Sequence, residues 1–100
     1  MTQPRGKVIK ALVERIAKEL VDHPDEVTVV EQDTGHLLLI EIRTNPQDVG
    51  ALLGKKGHHI EAIRTLASNA GAKIHKRVMV EIIDPRKLPP LSAGVADGHL

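Results

Sequence analysis

One hundred residues, 41% hydrophobic and 27% charged, suffice for a single globular domain around one modest core. The chain has no cysteine, which excludes disulfides, thiolate zinc sites and thiol nucleophiles, and no Phe, Tyr or Trp, which excludes readers of single strands that stack bases on aromatic rings. The net charge of +1 hides an asymmetry: residues 1–48 carry six Lys or Arg against nine Asp or Glu, whereas residues 49–79 carry six against Glu61 alone, the mark of a localised anionic partner or of a solvated charged face.

The start, Met1-Thr2-Gln3-Pro4-Arg5, lacks the apolar stretch of a signal peptide, and no apolar run approaches the roughly 20 residues of a membrane span. A cytoplasmic protein without membrane contact is the expectation. Over residues 7–21, Ile9, Leu12, Val13, Ile16, Ala17 and Leu20 recur at helical spacing, and the helix should stop near Asp22-His23 because Pro24 follows. Valine-rich residues 26–32 and residues 36–43 read as two strands joined by Asp33-Thr34-Gly35, a hairpin.

Thr44-Asn45-Pro46 has a capping residue followed by proline, the entry of a short helix through Leu53 with Val49, Leu52 and Leu53 on one side. After Gly54-Lys55-Lys56-Gly57 a third helix is expected over residues 58–70, burying Ile60, Ile63, Ala67 and Ala70, with Gly71 placed to end it. Residues 78–83 alternate as a third strand, and Pro85 closes it. This gives a domain over residues 5–84 and a flexible tail over 85–100, where Pro89-Pro90, Gly94 and Gly98 break any period. Helix, strand, strand, helix, helix, strand specifies an α+β domain, a three-stranded sheet with its helices on one face.

Two helices meeting at Gly-Lys-Lys-Gly form the chemically pointed feature. Glycines let the chain turn sharply and let a ligand backbone approach without meeting a Cβ atom. The helix that follows aims its free N–H groups and positive dipole end into the space occupied by Lys55 and Lys56, an arrangement suited to phosphate. A lone GxxG occurs by chance in many turns; its place between two apolar helices, inside the basic stretch of a chain without aromatics, makes it specific.

The stretch Val49-Gly50-Ala51-Leu52-Leu53-Gly54-Lys55-Lys56-Gly57-His58-His59-Ile60 resembles the signature of KH domains, and the element order matches their type II topology. Residues 7–84 resemble more narrowly the small single-KH proteins of bacteria, the KhpA (YlqC) family, through Asp48-Val49-Gly50 before the loop and Glu61-Ala62-Ile63-Arg64-Thr65-Leu66 after it. The resemblance implies that about four nucleotides of single-stranded RNA lie in a groove with their backbone held by the loop, in an RNA chaperone or post-transcriptional regulator. Gly54 and Gly57 would permit the approach, Lys55 and Lys56 would meet phosphates, and Val49, Leu53, Ile60 and a strand residue such as Ile40 would form an aliphatic floor. Arg64 would touch the strand from the side.

His58 and His59 depart from the family pattern, which often has a basic and a hydroxyl residue there; RNA contact by this pair would strengthen on acidification. Neighbours on a helix point about 100° apart and cannot chelate one metal ion, so neither a metal site nor a cofactor is expected.

No nucleophile stands with a base, Ser68 and Ser92 are the only serines, and the loop is not a Walker motif, so an enzyme is not expected. A second reading makes the domain an interaction subunit. If Val27, Val29, Leu38, Ile40, Ile42, Val78, Val80 and Ile82 face the helices, Val30, Leu37, Leu39, Met79 and Ile83 lie on the uncovered sheet face, with Leu66 a further contact off the helical stripe. The family resemblance implies homodimers, or pairing with a larger KH-containing RNA-binding protein.

Overall fold

The computed structural model describes residues 5–86; of the tail expected from residue 85, residues 87–100 lie outside the described residues. Helix α1 spans Arg5–Leu20, β1 Thr28–Asp33, β2 Leu37–Arg43, α2 Val49–Leu53, α3 His58–Ala72 and β3 Arg77–Ile83. The element order is the expected one. Short 3-10 turns at Pro24–Glu26, Pro46–Asp48 and Lys55–Gly57 separate them.

The sheet runs β1-β2-β3, with β1 antiparallel and β3 parallel to the central β2. A parallel neighbour cannot follow through a hairpin, so the chain crosses over the sheet, and α2 and α3 are that crossing. Side chains alternate faces along a strand. Val29, Leu38, Ile40, Ile42 and Val80 therefore meet Ile9, Val13 and Ala17 of α1, Leu52 of α2, and Ile60, Ile63 and Ala67 of α3 in one core. Leu38, Ile40 and Ile42 are wholly enclosed, and truncating such a side chain to alanine costs about 2–5 kcal/mol. Leu12, expected in the apolar stripe of α1, is 39% exposed, because it lies off the side of α1 on which Ile9, Val13, Ala17, Ile16 and Leu20 pack into the core.

Two boundaries differ from expectation for local reasons. The chain after α1 does not extend at residue 26: Glu26 N–H donates to His23 O at 3.0 Å and Val27 N–H to Pro24 O at 3.2 Å, so β1 begins at Thr28. Gly71 does not end α3. It is buried inside the helix, where an added Cβ would press on the Val78 side chain and stand 2.8 Å from the Lys76 carbonyl. The stop is His75, at φ 60°: its N–H donates to Ala72 O and the Lys76 N–H to Gly71 O, the paired bonds of a Schellman motif. Lys76 then forms an ion pair with Asp33 at the end of β1, which, with the Gly35 N–H bond, holds the Asp33 carboxyl below its ordinary range.

Candidate nucleic-acid interface

Asn45 starts the segment that carries the site, its side-chain oxygen accepting from Gln47 N–H at 2.8 Å with Pro46 next, as the capping residue and proline predict. Helix α2 then runs only to Leu53, where Gly54 at φ 76°, ψ 171° breaks it. Lys56 (φ 57°, ψ 25°) and Gly57 (φ 76°, ψ 15°) are both left-handed, and the His58 N–H closes on Lys55 O. This is a type I′ turn, which normally takes Asn-Gly at its centre. A lysine there costs about 1–2 kcal/mol of backbone strain, a cost that recurs at functional loops.

The two glycines have different causes. At Gly57 a Cβ would meet nothing within 4 Å; the surface above it is open. At Gly54 a Cβ would stand 2.5 Å from His59 Cγ and 2.8 Å from the His59 backbone nitrogen, so the missing side chain makes room for His59 as well as for the turn. His59 Nδ1–H donates to Ala51 O at 2.7 Å, tying the start of α3 to the last turn of α2. Its ring, on an exposed residue, is thus a brace between the two helices that leaves Nε2 for a ligand, a role that the identity of residue 59 does not announce. His58 is exposed.

Lys55 and Lys56 are exposed, and among the described residues neither ammonium is held in an ion pair. No side chain caps α3, so its first N–H groups and positive dipole end face the same space. Leu53, 42% exposed, flanks the loop.

The aliphatic floor is reshaped by burial. Val49 and Ile60 retain 7% and 4% of their surface. Ile40 retains none: β2 is the central strand, and Ile40 lies beneath the helices as core, with no surface to offer a ligand. The strand that does reach the surface beside α3 is the edge strand β3. Arg64, one helical step of four beyond Ile60, donates from Nε to the Val80 carbonyl at 3.1 Å and from its terminal nitrogen to Glu61 at 3.3 Å. A groove of about 240 Å³ runs there, lined by Arg64, Ser68 and residues 78–81. Sequence reading missed this edge because strand order, which makes β3 rather than β2 the border, is a tertiary property.

Three helices over a mixed three-stranded sheet, with a glycine-bracketed basic turn between the second and third helices, define a KH domain. The sequence profile of the KhpA/KhpB KH domain matches residues 10–82, and the chain belongs to that family. It is 47% identical over 76 residues to RNA-binding protein KhpA of Halalkalibacterium halodurans, covering 76% of this chain and all of that one. It is 49% identical over 72 residues to RNA-binding protein KhpA of Caldanaerobacter subterraneus, covering 72% of this chain and 96% of its relative. These are names of binding proteins, and the family is not an enzyme family. Among solved structures the fold resembles part of an Aquifex aeolicus Era variant bound to GDP and AlF4−, at TM-score 0.55 and 19% identity, over 85% of this chain and 34% of that one. No helix among the described residues is long and apolar enough to cross a membrane.

Proposed function

We propose that this chain is a cytoplasmic single-stranded RNA-binding protein whose residues 5–84 form the binding domain, with residues 85–100 a tail outside it. The backbone of about four nucleotides crosses the Lys55-Lys56-Gly57 turn, and its phosphates meet the two ammonium groups and the uncapped first turn of α3. Bases lie toward Leu53 and along the Ile60–Arg64 side of α3, with Val49 and Gly54 beneath and His58 at the rim. The observation that carries this reading is the loop itself, which spends strain to hold two lysines, unpaired among the described residues, beside an open glycine. The names of the relatives support the RNA, and the family resemblance supports a role as RNA chaperone or post-transcriptional regulator.

The test is titration of short labelled single-stranded RNAs with the wild type and with Lys55→Asp/Lys56→Asp. Loss of two phosphate contacts lowers affinity at least about tenfold and flattens the slope of log affinity against log salt by about 1.4. The melting temperature should hold, since both side chains are exposed. A variant that binds like the wild type with the same salt slope sinks the assignment.

A second reading has its own observation. Val30, Met79 and Leu66 are 37%, 45% and 50% exposed, the first two on the uncovered sheet face and the third on α3. Such surface fits an interaction subunit, as a homodimer or beside a larger KH-containing RNA-binding protein, and would add avidity to a weak single groove. Sedimentation in rising salt separates the two, since apolar pairing persists where phosphate binding fades.

A further inference from the structure

Helix α2 has five residues, too few to hold itself in place, yet it carries the loop at its end. What holds its start is Asp48. The Asp48 side chain is 2% exposed, and a carboxylate so enclosed must be met by donors. Three come from the chain just after α1: Asp22 N–H at 3.3 Å, His23 N–H at 2.9 Å and the His23 ring Nδ1–H at 2.9 Å. A second link lies alongside, Asn45 Nδ2 donating to the Glu26 carboxylate at 3.2 and 3.3 Å. Phosphate binding uses none of these groups.

We propose that His23 and Asp48 form a latch that fixes α2 against the end of α1 and so presents the Gly54–Gly57 loop, and that protonation of His23 tightens the latch and with it RNA binding. This rests on the RNA-clamp reading above. His23 and Asp48 act through α2 and are positioning residues, not contacts of the RNA.

The electrostatics set the direction. The hydrogen bond to Asp48 raises His23 above its ordinary value of 6.5, against partial burial, and Asp48, Glu26 and Asp22, all acidic, add to the rise. Burial alone would push Asp48 up, but the bonds from the His23 ring, the His23 N–H and the Asp22 N–H hold it below 3.8. The His23 contribution is therefore complete below 6.5 and fades as pH rises through the raised folded value. The Asp48 contribution is present above 3.8 and lost only as pH falls through its lowered value. Between these limits the latch is a full ion pair; above them a neutral imidazole still donates from Nδ1, without the charge. With its side chain 39% exposed, His23 exchanges protons freely with solvent.

The experiment compares wild type with His23→Gln, which keeps a donor but cannot titrate, between pH 6 and pH 8, reading RNA affinity and backbone amide exchange. His58 and His59 are present in both proteins, so whatever they contribute to binding cancels in the comparison. From pH 8 to pH 6 the wild type should gain about fivefold more affinity than His23→Gln. At pH 6 the Gly54 amide, bonded to Gly50 O at 2.9 Å, should exchange faster in the variant while α3 amides do not change. Parallel pH profiles with equal α2 exchange overturn the latch, as does faster exchange spread evenly over the whole domain. Lys55→Asp/Lys56→Asp runs alongside: if it binds like the wild type, the clamp reading fails, and the latch is then judged on exchange alone, upheld by faster α2 exchange and overturned by equal rates.

Discussion

Helix α3 is bounded at each end by a turn through a left-handed residue other than glycine, Lys56 before it and His75 after it, and each turn has a glycine nearby. The two corners are nonetheless built to opposite ends. At the C-terminal corner everything is closed: Gly71 is sealed by Val78 and the Lys76 carbonyl, two N–H groups return to helix carbonyls, and the Lys76 charge is matched by Asp33. At the N-terminal corner Gly57 faces open space, the helix start is uncapped and two lysines stand unpaired among the described residues. Strain with every group satisfied is a structural stop. Strain with donors and charge left over is the profile of a binding loop.

The contrast breaks most readily at the glycines. Gly71→Ala forces the helix off β3 and should cost about 2 kcal/mol after the small gain in helix propensity, whereas Gly57→Ala pays only the left-handed backbone term of about 1 kcal/mol. Chemical denaturation of both measures this, and equal losses would erase the distinction between sealed and open corners. A smaller effect sharpens the role of His59. Gly54→Ala should be less destabilising in a His59→Ala background than in the wild type, with a coupling of about 1 kcal/mol by double-mutant cycle. Additivity would mean that the His59 ring does not occupy the space Gly54 leaves.

The smallest effect divides the two strained residues by function. Lys56→Gly and His75→Gly each release left-handed strain and should raise stability by about 0.5 kcal/mol once the added freedom of the unfolded chain is subtracted. Only Lys56→Gly should weaken RNA binding, severalfold in a titration. A loss of affinity in His75→Gly as well would place the second corner in the binding surface.

Much of this was legible because it is local. The period of Ile9, Val13 and Ala17, the alternation through residues 37–42 and the Asn45-Pro46 entry report backbone geometry that a few neighbouring residues impose, and the structure has those elements. The loop was legible for the same reason: glycines and lysines declare conformation and charge within four residues. What misled were residues whose role depends on how one element packs against another. Gly71 reads as a helix stop until β3 is laid against it; Ile40 reads as groove floor until β2 proves central; His59 reads only as a contact until its ring is seen donating to the Ala51 carbonyl.

The sequence by itself determined the element order, the core faces and the position of the basic turn, since propensity, hydrophobic period and turn chemistry act over a few residues. Only the tertiary structure decided which strand borders α3, which glycine is open, and that Asp48 is closed over by His23. Those outcomes depend on how whole elements are laid against one another, whether their contacts are a few residues apart, as at Gly71, or 25, as between His23 and Asp48, and they are fixed when burial of one shared apolar face brings the elements together.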